Sequence, residues 1–137
     1  PVDSVLAAME IMHYINDVNK RKKSRDENLW NVRIGIHTGS LIAGVVGKRK
    51  FLYDIWGDTV NVASRMESSS DEGRINISGE TYNQVKHFFK CTYRGKIPVK
   101  HKDEANMYFV DGFLPKYSTD KNCGTPNKAF VTALRKL

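Results

Sequence analysis

The stretch from Val32 to Glu67, "VRIGIHTGSLIAGVVGKRKFLYDIWGDTVNVASRME", changes its hydrophobic period part-way along. Val32, Ile34 and Ile36 alternate with Arg33, Gly35 and His37, which predicts a strand with one buried face. "TGS" turns the chain, and "LIAGVV" is apolar enough for a second strand. "GKRK" reads as a hairpin tip and "FLYDI" as the returning strand. Asp58 is then placed to cap a helix over about residues 59–69.

Upstream, residues 3–22 form an amphipathic pattern. Val5, Met9, Met12, Ile15 and Val18 recur at three- and four-residue steps. Asp3 is a candidate cap, the last turn is basic as the helix dipole favours, and "SRDEN" (24–28) is a polar loop. Downstream, "DEGR" is a turn and "INIS" a short strand. Ser78 can cap a helix over about 79–88, and "TYRGKIPVK" with "NMYFVDG" predicts a closing antiparallel pair. This order predicts an α/β fold, an α+β sandwich with a mainly antiparallel sheet and flanking helices, over residues 1–112. Residues 113–137, with Pro115, Pro126 and "DKNCGTPN", read as a tail or linker carrying a short terminal helix, "KAFVTALRKL".

The 137 residues are 40% hydrophobic and 27% charged, which suits one domain with a real core. The N-terminus lacks the basic region of a signal peptide, and no apolar run of about 18 residues predicts a membrane span. The first residue is Pro1, which suggests a piece of something larger. Cys91 and Cys123 read as reduced thiols of a cytoplasmic compartment, and the four His show no metal-ligand spacing. The net charge of +7 gathers in "KRKKSR" (20–25) and "KRK" (48–50). A solvated helix end and hairpin tip account for these runs. Nucleic-acid binding is not expected, because no aromatics interleave a basic face.

The glycines of "GSLIAGVVGK" do not make a phosphate loop, since Val45 follows Gly44 where Lys is required. Asn61 and Arg65 are a better candidate pair. Positions i and i+4 share a helix face, and an amide beside a guanidinium suits a phosphate or a developing oxyanion. Spacing alone leaves a second reading, a surface Asn and a structural Arg paired with Glu67 or Asp58. Asp54 ends an apolar strand, where its carboxylate either accepts from an exocyclic amine or serves a turn. Lys100 and Lys102 flank His101 at a strand end, as phosphate ligands or as solvated edge lysines.

Taken together, "VRIGIHTGSLIAGVVG", "KRKFLYDIWGDTVNVASRMES", "GRINIS" followed by "TY", and "YRGKIPVK" resemble the class III adenylyl/guanylyl cyclase catalytic domain, from about Val5 to Val110. The resemblance implies a ferredoxin-like nucleotide cyclase fold. It also implies conversion of ATP to cyclic AMP and pyrophosphate, the ribose 3′-hydroxyl attacking the α-phosphate with two divalent ions, Mg2+ or Mn2+. By resemblance Asn61 orients the ribose and Arg65 stabilises charge on the α-phosphate. Asp54 accepts from the adenine amine, the backbone at Ile55 touches the purine edge, and Lys102 binds the terminal phosphates. At this last site "VKHKD" departs from the family's Val-Lys-Gly-Lys-Gly. The family's active sites lie at a head-to-tail dimer interface, so the implied partner is a second cyclase domain, as a homodimer.

The family's metal-binding aspartates fall in segments upstream of the region matched here. The expectation is therefore that this chain alone binds no catalytic metal and turns over no nucleotide. Strands supplied by those segments would leave apolar edges when absent, favouring oligomers. The alternatives are a guanylyl cyclase, or a cyclase-like domain that binds nucleotide for regulation without turning it over.

Overall fold

A computed structural model of the chain describes residues 1–47, 52–99 and 102–136; for residues 52–54, 56, 99, 102 and 103 it describes the backbone alone. The expected hairpin tip, "KRK" (48–50), lies outside the described residues. The elements are α1 (Val2–Lys23), β1 (Ile34–Ile36), β2 (Ile42–Val46), β3 (Leu52–Trp56), α2 (Asp58–Ser68), β4 (Ile75–Ser78), α3 (Gly79–Val85), β5 (Phe89–Val99), β6 (Lys102–Phe113) and α4 (Lys128–Leu134). A short 3-10 turn, Pro115–Tyr117, joins the last two.

Four strands make one sheet in the order β1-β4-β6-β5, with β2 and β3 as a separate antiparallel hairpin. β1 runs parallel to β4, and the other pairings of the sheet are antiparallel. This is the mixed α+β sandwich expected from the sequence. β4 is buried along its whole length because both its faces are covered. Ile75 and Ile77 face the larger core with Val2, Val5, Ala8 and Met12 of α1 and Val85 of α3. On the other face, Val62 and Met66 of α2 pack on Ala105 and Met107 of β6. A helix on each side of the sheet thus follows from period-2 burial in β4 and period-3.6 burial in α1 and α2.

Gly35 sets how close α2 comes to β1. A Cβ built there would overlap the backbone of Met66 and Glu67. No residue with a side chain allows that approach.

The helix starts differ from expectation. Asp3 does not cap α1, whose N-cap is Pro1 with no side-chain hydrogen bond. Val2 is already helical and joins the core, so Asp3 falls inside the first turn. Asp58 likewise is the first residue of α2 and not its cap, which is Gly57 at φ 138°. That backbone region is open to glycine at no steric cost, so the turn out of β3 is made there. Both aspartates still face the positive end of a helix dipole. Ser78 caps α3 as predicted, its hydroxyl accepting from Thr81 N–H at 3.3 Å. That helix ends at Val85, and the chain turns so that Phe88 and Phe89 enter the core.

Of residues 113–137, expected as a tail or linker, Phe113 and Phe130 lie in this core and Tyr117, Ala133 and Leu134 pack against it. Phe130 of α4 is 2% exposed and meets Phe88, Phe89, Phe113 and Tyr117 at centroid distances of 4.9–6.1 Å. Asn127 caps α4, its side-chain oxygen accepting from Phe130 N–H at 3.0 Å. The polar composition that marks a linker hides one aromatic anchor placed by a cap.

Candidate functional site

α2 carries the candidate pair. Val62 and Met66 are buried to 1% and 0% exposure, so the face one position back, with Asn61 and Arg65, points to solvent. The helix is held from three directions. Arg33 Nε of the segment leading into β1 pairs with Glu67 Oε1 at 3.0 Å. Asn76 of β4 donates from Nδ2 to the Met66 carbonyl at 2.8 Å. Thr59, in the first turn, donates its hydroxyl to the Ser40 carbonyl, which ties the helix start to the segment before β2.

The structural reading of Arg65, pairing with Glu67 or Asp58, is not what the fold makes. Glu67 is engaged by Arg33, and Arg65 Nη1 donates to the Pro98 carbonyl at 2.9 Å. Among the described residues Arg65 makes no ion pair, and one carbonyl occupies only part of the donor fork, which leaves further N–H groups for a ligand. This bond also links α2 to the end of β5.

Ile55 lies on β3 opposite Ala43 of β2 and is 43% exposed. The Asp54 backbone pairs with Gly44 and the Lys102 backbone with Val99. The side chains of Asp54 and Lys102 lie outside the described residues. The fold therefore brings Asn61 and Arg65 onto one surface, with the chain bearing Ile55 leading directly into their helix.

Sequence reasoning missed the polar groups behind this surface. Asn76 is fully buried, and its Oδ1 has no hydrogen-bond partner among the described residues. His37, its side chain 3% exposed, meets Ser78 Oγ through Nδ1 at 2.7 Å and lies 3.8 Å from a Glu80 carboxylate oxygen. The only signal for them was polarity inside apolar strands, Asn76 and Ser78 in "INIS" and His37 at the end of "VRIGIH".

A cleft of about 380 Å³ lies beside this cluster, lined by His37, Ser40, Thr59 and Glu80 among others. A larger cavity of about 700 Å³ lies elsewhere, between α1, the β4–β6 pair and residues 120–126. Of the candidates with described side chains, Asn61, Arg65 and Ile55 line neither. The candidate face is an open surface, and the larger volume marks no chemistry in it. Among the described residues no three His, Cys, Asp or Glu side chains converge as a metal centre. The divalent ions implied by resemblance find no donor set among those residues. Both cysteines are free thiols, and burial pushes Cys91 up to about 12.

Residues 2–112 match the family model for the adenylate and guanylate cyclase catalytic domain. The chain belongs to this family. An adenylate cyclase of Mycobacterium tuberculosis (strain ATCC 25618 / H37Rv) is 47% identical over 81 residues, covering 59% of this chain and 18% of that protein. Among solved structures, the adenylyl cyclase CyaB from P. aeruginosa is similar at TM-score 0.71 and 31% identity, over 80% of this chain and 57% of that one. The guanylate cyclase domain of RhGC from Catenaria anguillulae, solved in complex with GTP, is similar at TM-score 0.67 and 35% identity, over 81% and 59%. The chain thus spans less than two-thirds of each. Like them it is a class III cyclase catalytic domain by fold, and among the described residues no helix is long and apolar enough to cross a membrane.

Proposed function

We propose that this chain supplies the nucleotide-facing side of a cyclase that converts ATP to cyclic AMP and pyrophosphate. The observation that carries the reading is the exposed face of α2. Asn61 and Arg65 stand together on it, while the opposite face is locked by Val62, Met66 and the Asn76–Met66 bond. A rigid helix presenting an amide and a guanidinium is preorganised for charge that develops at phosphorus.

In this reading Arg65 donates to the α-phosphate oxygens as the ribose 3′-hydroxyl attacks and pyrophosphate leaves. Asn61 holds the ribose so that the hydroxyl lies in line. Asp54 accepts a hydrogen bond from the adenine amine, which favours ATP over GTP. The Ile55 backbone meets the purine edge and Lys102 takes the terminal phosphates. The divalent ions, Mg2+ or Mn2+, would supply activation of the hydroxyl when bound by the complete enzyme.

An open face cannot exclude water or enclose a nucleotide by itself, so the site needs a second surface. The partner proposed is a second cyclase domain, arranged head to tail as a homodimer. Apolar side chains left outside on the hairpin, Ile42, Val45 and Val46, support a contact there.

The test has two arms. In the complete catalytic domain, Asn61→Ala and Arg65→Ala should each lower kcat by roughly 10²- to 10³-fold, as losing one transition-state donor does, with KM changed less. Near-normal kcat in both variants would refute the assignment. The 137-residue chain alone, given ATP and Mn2+, should form no cyclic AMP; robust turnover would refute the half-site reading.

A further inference from the structure

The densest charge run, "KRKKSR" (20–25), takes no part in the face described above. It ends α1, and the chain beyond it is folded into a defined corner. Ser24 N–H donates to the Lys20 carbonyl at 3.3 Å and Glu27 N–H to the Lys22 carbonyl at 3.0 Å. Asp26 makes the turn at φ 56°. Asn19 then holds both sides of Trp30: its Nδ2 donates to the Trp30 carbonyl at 2.9 Å, and its Oδ1 accepts from Trp30 N–H at 2.8 Å.

This clamp fixes the backbone and leaves the side chains outside. Trp30 and its neighbour Leu29 are each 49% exposed, and the Lys22 ammonium lies 5.6 Å from the indole centroid. Two of the corner's acids are engaged: Asp17 by Lys20 at 3.0 Å and His13 at 3.4 Å, Glu27 by Lys22 at 3.1 Å. Arg21, Lys23 and Arg25 are exposed and make no ion pair among the described residues, with Asp26 the remaining acid nearby. Neither cavity is lined by residues 19–30.

We propose that this corner docks on an anionic lipid surface. Trp30 and Leu29 enter the headgroup boundary, and Arg21, Lys23 and Arg25 neutralise lipid charge. Charge complementarity calls for an anionic partner. An indole with an apolar body and a polar edge sits well at a membrane interface, and basic side chains beside it add to binding. Single-stranded nucleic acid would need several aromatic platforms along a basic groove, and here one indole stands with no groove. An acidic peptide would need a cleft. The proposal is independent of the assignment of Asn61 and Arg65, because it uses none of the same residues.

The test uses the full chain with vesicles of phosphatidylcholine alone or with about one-third phosphatidylserine. The chain should co-sediment with the anionic vesicles and not the neutral ones, and binding should weaken as salt rises. Tryptophan emission should shift to the blue on binding, and the shift should be absent in Trp30→Phe. The triple variant R21Q/K23Q/R25Q changes exposed side chains only. It should keep its circular dichroism spectrum and lose partitioning on the order of a hundredfold, about fivefold for each charge neutralised. Equal binding to neutral and anionic vesicles, or unchanged partitioning of the triple variant, would overturn the proposal. So would binding to a single-stranded oligonucleotide with no binding to vesicles.

Discussion

Gly35→Ala is the sharpest perturbation of the link between fold and candidate site. The added methyl would stand 2.6 Å from the Met66 carbonyl carbon and from the Glu67 Cα. Carbon atoms in ordinary contact stand roughly 3.5–4.0 Å apart, so α2 must retreat by about 1 Å. Backbone cannot move aside as a flexible side chain would. Overpacking of this kind costs about 1–3 kcal/mol. A 1 Å retreat also stretches the Asn76–Met66 bond of 2.8 Å beyond hydrogen-bonding range. Asn76 already has an unpartnered buried oxygen, and leaving its amide with only the weak Met107 sulfur acceptor at 3.5 Å adds about 1–3 kcal/mol.

The total is about 2–6 kcal/mol. With a urea m-value of about 2 kcal/mol/M, the unfolding midpoint should fall by about 1–3 M. The same retreat displaces Asn61 and Arg65. A 1 Å misplacement of a positioning group costs about 10²-fold in rate, which the complete catalytic domain would show in kcat. The assay is urea unfolding of Gly35→Ala beside the wild-type chain, followed by circular dichroism. A midpoint within about 0.2 M of wild type, less than about 0.4 kcal/mol, would refute the close-packing argument.

Phe130→Ala should destabilise the chain by about 3–5 kcal/mol, while Val131→Ala, at an exposed position, should change it by less than about 0.5 kcal/mol; equal effects in thermal or urea unfolding would show that α4 does not hold the core. Asp120 accepts from the N–H groups of Gly124 at 3.1 Å and Thr125 at 2.8 Å, chiefly the former holding its carboxyl below the ordinary range. Its contribution is thus present above the unfolded carboxylate pKa and lost as pH falls through the folded one. Amide exchange at residues 118–125 should rise below about pH 4, and Asp120→Asn should abolish that step. Cys91 is pushed by burial, and secondarily by Asp111, from 9.0 to about 12, so its folded pKa lies above its unfolded one. Stability owed to the neutral thiol is full below the unfolded value and declines as pH rises from 9.0 toward 12. Iodoacetamide should label it slowly in the folded chain and rapidly in urea, and equal rates would contradict the burial.

The regular elements were legible because their periods are strong. The alternation of Val32, Ile34 and Ile36 and the three- and four-residue recurrence along α1 are local properties. These strand side chains, with Val5, Met9 and Met12, do pack on the larger core, although β1 spans only Ile34–Ile36 and α2 covers its other face. Helix starts were less legible. Asp58 is a good cap by type, yet the cap falls where the backbone turns, at Gly57, and Asp3 lies within the first turn of α1. The role of residues 113–137 was hidden for a similar reason. Composition averages over a segment, and the anchoring of this one depends on a single phenylalanine.

By itself the sequence determined the element order, the family through motifs in a set order, and the shared face of Asn61 and Arg65, which follows from helical geometry alone. Tertiary structure decided what Arg65 touches, because Pro98 lies 33 residues away and meets it only when β5 comes alongside α2. It also decided that Glu67 belongs to Arg33, that Asn76 clamps the end of α2, and that Gly35 must have no side chain. Each of these is a contact between residues distant in sequence. Local spacing limits which groups can share a face, and only the assembled sheet determines what that face is fastened to.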